Sequence, residues 1–194
     1  MKRFSLLTLL VAVAFISSSF KEKTPAVKKK TSVAAISKTL AFPVAGKKSM
    51  VGSYWGASRG GGRRKHKGID IFARKGTPVV ALADGVISLK ETTPVGGKVL
   101  WLNPSSHSWT AYYAHLDKQF VKEGQYVRKG QVIGTVGNTG NAKYTPSHLH
   151  FGIYTAAGPV NPLPYVKHSS KVMVSKAPSK SKNSKKGSKA KRRK

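Results

Sequence analysis

Short apolar runs that alternate with polar residues and stop at glycine limit this chain more than any other feature. Between Leu40 and Tyr165 they read "TPVVALADGVISLK", "GKVLWLN", "WTAYYAHL", "QYVRKGQVIGTVG" and "HLHFGIY". Val, Ile, Tyr and Trp dominate these runs, turn residues separate them, and no long stretch keeps a 3.6-residue apolar period. Residues of that kind at period two build half-buried strands, and short strands joined by turns pack as antiparallel sheet. The expectation is an all-β fold: one compact, mostly antiparallel β-sheet domain over 40–165. Two segments, "KGTPVVALADGVI" and "EGQYVRKGQVIG", echo each other in placing a glycine, a β-branched run and a second glycine-led turn. Such spacing suits a rolled sheet whose corners need positive φ or close backbone approach.

Charge sets the limits of that domain. The chain of 194 residues carries 36 Lys and Arg against six Asp and Glu, a net charge of +30. From Val166 onward every charged residue is Lys or Arg, among Ser, Ala and Pro. So little apolar surface under so much like charge does not fold alone, so 166–194 reads as a disordered basic tail. Residues 1–19 have Lys2 and Arg3, an apolar run from Phe4 to Ile16 and then Ser17, Ser18 and Ser19, the layout of a secretory signal peptide. Residues 20–39, rich in Lys, Thr and Ala, read as a flexible basic linker. The apolar run is shorter than the roughly 20 residues of a spanning helix, so no stable transmembrane span is expected once the signal is cleaved. The expected location is secreted or periplasmic, associated with the cell envelope, and the expected state is a monomer. Nucleic acid would suit the charge, but export makes envelope polyanions the better partner.

The domain holds five carboxylates, Asp70, Asp84, Glu91, Asp117 and Glu123, and four of them sit in or beside turns. Asp70 differs. In "RKHKGIDIF" it shares parity with His66, while Ile69 and Ile71 fall on the opposite parity. An extended segment would turn His66 and Asp70 to one face and the isoleucines to the core. Gly68 between them opposes a helix, where it would cost about 1 kcal/mol. His148 and His150 repeat the pattern in "SHLHFG", with Leu149 and Phe151 pointing the other way. A catalytic zinc usually takes three N or O protein ligands and leaves one position open. His66, Asp70 and one histidine of the 148/150 pair would supply that set, and the other could handle protons. His115 in "AYYAHL" follows the parity of Tyr113 and reads equally as a core residue or a further catalytic candidate. His107 and His168 look incidental.

Taken in order, "HKGID", "AHL" and "HLHF" resemble the LytM/lysostaphin-type zinc metallopeptidases of family M23. The likeness extends to "GIDIFARKGTPVVALADGVI", "GQYVRKGQVIGTVGNTG" and the closing "NPLPY", and covers roughly Phe42 to Tyr165. The resemblance implies a duplicated-hybrid-motif-like β-domain with Zn2+ in a groove, bound by His66, Asp70 and His150. It implies that His115 and His148 are the catalytic histidines, one activating water and both stabilising the oxyanion. The implied substrate is bacterial peptidoglycan, cut in its stem peptides or cross-links during cell-wall remodelling. All five positions are filled, unlike members that have lost ligands and only activate other hydrolases. A non-catalytic envelope-binding or activator module is the competing expectation. The loop "ASRGGGRRK" before His66 departs from the family in content and borders the groove, so it bears on substrate preference.

Overall fold

The computed structural model describes residues 32–174. The expected signal segment, most of the linker and the tail beyond Val174 lie outside these residues. Helix α1 is Val33–Thr39. The strands are β1 (Met50–Ser53), β2 (Ser58–Arg59), β3 (Arg64–Lys65), β4 (Ile69–Phe72), β5 (Pro78–Val80) and β6 (Gly85–Thr93), then β7 (Gly97–Pro104), β8 (Thr110–Gln119), β9 (Tyr126–Val127), β10 (Val132–Val136), β11 (His148–Thr155) and β12 (Gly158–Val160). Helix α2, Leu163–Val166, follows.

Ten strands form one antiparallel sheet whose main path runs β1-β4-β11-β8-β7-β6-β9, while β2 and β3 make a separate hairpin. The all-β expectation holds. The two echoing segments turn out to pair with each other: β5 lies along β10 and β6 along β9. Their likeness in sequence is thus a likeness of position, each supplying one outer and one inner strand to the same corner of the sheet.

Alternation decides what enters the core. Ile69, Ile71, Leu149 and Phe151 are fully buried, and they pack with Tyr113, Leu100, Leu102, Ile87 and Ile133. The Tyr113 hydroxyl accepts a hydrogen bond from the Leu82 N–H at 3.0 Å, so its one polar atom is satisfied inside the core. The opposite faces of β4, β8 and β11 are thereby left to the polar residues.

Packing also reaches into the segments flanking 40–165. Ser32 caps α1 by accepting from the Ala35 N–H, and Ser37 is buried with its hydroxyl accepting from the His168 N–H at 3.0 Å. Beyond α2, Ser170 exchanges backbone hydrogen bonds with Leu40 and Phe42, and the Gly46 N–H donates to Val172 O. Among the described residues no helix is long and apolar enough to cross a membrane.

Candidate active site

Strand register brings the distant residues together. In the antiparallel pair β4–β11, His150 lies directly opposite Asp70, as Leu149 lies opposite Ile71 and Phe151 opposite Ile69. Cross-strand partners share a face, so the pairing that buries the apolar residues also sets the histidine beside the carboxylate. His150 Nδ1 is 3.0 Å from Asp70 Oδ1. His66 lies between β3 and β4, tied to the chain before it: its N–H donates to Ala57 O, and its carbonyl accepts from the Gly56 N–H, both at 2.9 Å. Its Nε2 is 3.1 Å from Asp70 Oδ1 and 3.0 Å from His150 Nδ1.

These three residues form a group able to hold a metal ion. With Nδ1–H donating to Tyr54 O at 2.9 Å, the His66 ring turns the lone pair of Nε2 toward its neighbours. That lone pair then faces a carboxylate oxygen and a second ring nitrogen. A cation among the three atoms resolves the conflict, and two imidazole nitrogens with one carboxylate oxygen make a donor set that fits zinc. Burial alone would raise the Asp70 carboxyl, but its bonds to His150 and His66 outweigh burial and hold it well below the usual carboxylate range. Asp70 is therefore anionic at neutral pH. Burial pushes His150 down, against the pull of Asp70, which favours the neutral ring that a metal requires.

Gly68 makes this approach possible. A Cβ there would stand 2.6 Å from His150 Cε1 and 2.7 Å from both His150 Nε2 and Phe151 O. Because one of those atoms is backbone in the sheet, both the ring and the local backbone would have to shift. If the cluster takes up added zinc, Gly68→Ala is expected to weaken that uptake about 10–100-fold, the scale of losing a support behind a metal ligand. Competition titration against a chromogenic chelator measures it, and unchanged affinity would show that the ring has room to move.

His115 reaches the site by a different route. Simple alternation would send it inward with Tyr113. Instead β8 carries an extra residue relative to β7, where Leu100 pairs Tyr113 but Lys98 pairs Leu116. His115 has φ 61°, the only positive φ outside glycine among the described residues. The bulge re-aims its ring to the face used by Tyr112 and Ala114, while Leu116 resumes the core. The ring centroids of His115 and His148 are 5.0 Å apart, and those of His115 and His150 are 5.9 Å apart. His115 Nδ1–H donates to Thr139 O at 2.9 Å and His148 Nδ1–H to Pro146 O at 2.8 Å. Burial, then the neighbouring His148 and His150, push His115 down to about 4, so it is neutral at pH 7 with its lone pair on Nε2.

All five residues line one groove of about 680 Å³. Two of its features were not read from the sequence. Arg59 pairs with Asp70 Oδ2 and donates to Ser53 Oγ at 2.8 Å, leaving Oδ1 to the histidines. Trp101, Tyr112 and Tyr154 form an aromatic floor, with Trp101 centred 4.5 Å from Tyr112 and 5.0 Å from Tyr154. Only the opposition of Trp101 to Tyr112 in the β7–β8 register could have revealed it. His107, stacked on Trp109, and His168 lie outside the groove lining, as do the other four carboxylates.

The sequence profile described as Peptidase family M23 matches residues 64–162. The chain is 41% identical over 114 residues to the L-Ala--D-Glu endopeptidase of Bacillus subtilis (strain 168), covering 55% of this chain and 35% of that protein. It is 38% identical over 112 residues to the murein hydrolase activator NlpD of Escherichia coli (strain K12), covering 58% of this chain and 28% of that protein. The match thus spans about a third or less of each of these relatives. Among solved structures, the catalytic domain of the antimicrobial peptidase lysostaphin from Staphylococcus simulans aligns at a TM-score of 0.55 and 34% identity, over 62% of this chain and 92% of that one.

Proposed function

Because the chain belongs to peptidase family M23, we propose that it is a zinc-dependent endopeptidase that cuts peptide bonds of bacterial peptidoglycan outside the cytoplasmic membrane. The carrying observation is the convergence of His66, Asp70 and His150 in one groove with two histidines whose Nδ1–H groups are held by backbone carbonyls. His66 Nε2, Asp70 Oδ1 and His150 Nδ1 would hold zinc, which when bound would polarise the scissile carbonyl and lower the pKa of water towards about 7.

The protein's own groups handle the protons. With Nδ1–H tied to Thr139 O, neutral His115 can only accept at Nε2, which suits it to take a proton from the attacking water. His148, tied to Pro146 O, presents the same nitrogen in its neutral form. A ring that has taken the proton becomes a donor. It can then bond the carbonyl oxygen as charge develops there, or pass the proton to the departing amine. The two carbonyl anchors fix both ring planes in advance, so little reorientation is needed during reaction.

Digestion of purified peptidoglycan by the full chain, with product masses recorded, tests this reading. New peptide products are expected, lost with a chelator and regained with zinc. Unchanged peptidoglycan at full zinc loading would overturn the enzyme, and chelator-insensitive cleavage would overturn the zinc mechanism. Similarity to an activator supports a second reading, in which the domain binds the envelope and stimulates another hydrolase. That function would survive loss of His150.

Ten Lys or Arg and no acid follow Val174. We assign this run to tethering on anionic wall polymers. Truncation after Val174 keeps every packed residue described above. It is expected to weaken sedimentation with cell walls at low salt, and to leave hydrolysis of small soluble peptides within about twofold. Equal sedimentation of both chains would remove the tether.

A further inference from the structure

The charged residues of the groove lining all come from one stretch of chain, 59–70. Four cations line the groove, Arg59, Arg64, Lys65 and Lys67, against one carboxylate, Asp70. Arg59 is already committed to Asp70. Arg64, Lys65 and Lys67 are exposed, and among the described residues none of them forms an ion pair. Val95, Gly96, Asn141, Ala142 and Thr145, from two other stretches of the lining, carry no charge. The aromatic floor of Trp101, Tyr112 and Tyr154 completes the same lining.

Register fixes where this charge begins. In the β2–β3 hairpin Arg59 lies opposite Arg64, and Ser58 opposite Lys65. Arg59 touches Asp70, so the cationic wall starts at the His66–Asp70–His150 cluster and runs outward from it. Three like charges within four residues repel one another, and an anion laid along them relieves that repulsion. The aromatic rings of the floor are a low-dielectric surface that focuses their field in the groove. Such a wall discriminates a carboxylate from its amide, which are nearly equal in shape but differ by a full charge at neutral pH.

From this we infer that the β2–β3 hairpin is a specificity element, selecting peptides with a free carboxylate beside the bond that is cut over the same peptides amidated there. The inference rests on the peptidase reading and narrows it from peptidoglycan in general to its unamidated, acidic stems. Exposed ion pairs are individually weak, so three acting together supply a preference of about 10-fold at low salt, shrinking as salt screens them.

The test uses the full chain loaded with zinc and two soluble cross-linked stem peptides, identical except that one carries free carboxylates and the other carboxamides. The readout is the ratio of the two kcat/KM values. A ratio of about 10 at low ionic strength is expected, falling at high ionic strength and falling to about 2 or less in Arg64→Gln/Lys65→Gln/Lys67→Gln. Arg64→Gln alone, on the exposed hairpin, should show part of the fall even if the triple variant folds poorly. Equal hydrolysis of both peptides by the wild-type chain, or a ratio that survives the substitutions, would overturn the inference and leave the peptidase reading standing. Failure to cut either peptide with zinc bound would overturn the peptidase reading, and the inference with it.

Discussion

His150→Ala is expected to lower peptidoglycan hydrolysis by on the order of 10³–10⁴-fold, the several kcal/mol that a metal contributes to stabilising charge in the transition state. The ring supplies Nδ1 to the cluster and stands opposite Asp70 in the β4–β11 register. Removing it leaves two ligands where a catalytic zinc usually has three. The fold should survive, because the core beneath is built by Leu149, Phe151, Ile69 and Ile71, none of which the substitution touches. Three measurements decide the matter: product release from peptidoglycan, zinc bound per chain, and the thermal melt. Loss of zinc and activity with a melt shifted by only a few degrees fits the metallopeptidase. Stimulation of a second hydrolase that persists undiminished in His150→Ala would instead favour the activator.

The parts of this site legible in the sequence are those carried by regular strands. β11 is unbroken, so the parity of His148 and His150 against Leu149 and Phe151 translates directly into two faces. Asp70 against Ile69 and Ile71 on β4 is equally direct. His115 escaped that logic because one extra residue in β8 reverses the faces beyond Ala114, and nothing local in "AYYAHL" announces a bulge. Arg59 and the aromatic floor were hidden for another reason. Their roles depend on which strand lies beside which, a non-local choice made by the whole sheet. At the flanks, charge obscured packing. Ile36 packs against the main core, and Val172 and Val174 pack with Ala41, Ala45 and Val80, yet lysines surround these few apolar residues in the sequence.

His115→Ala and His148→Ala should each lower hydrolysis by about 10²–10⁴-fold, the usual worth of a positioned acid–base group, while leaving zinc bound. That separation from His150→Ala is the test of the division of roles. A histidine whose loss empties the site of zinc is a ligand, whatever its place in the groove. If both rings serve one proton path, the double variant should be little worse than the poorer single one, because such groups act as a unit. His115 allows a sharper comparison. At φ 61° any residue with a Cβ is strained, and glycine is not. His115→Gly should therefore be more stable than His115→Ala by about 1 kcal/mol in urea melts, although glycine ordinarily costs a strand stability. Both should be equally inactive. Stability recovered without activity would mean that β8 holds a strained backbone for the sake of where it points one imidazole. Equal stability of the two variants would mean that the bulge is relaxed, and that the ring's bond to Thr139 O, rather than the backbone, sets its direction.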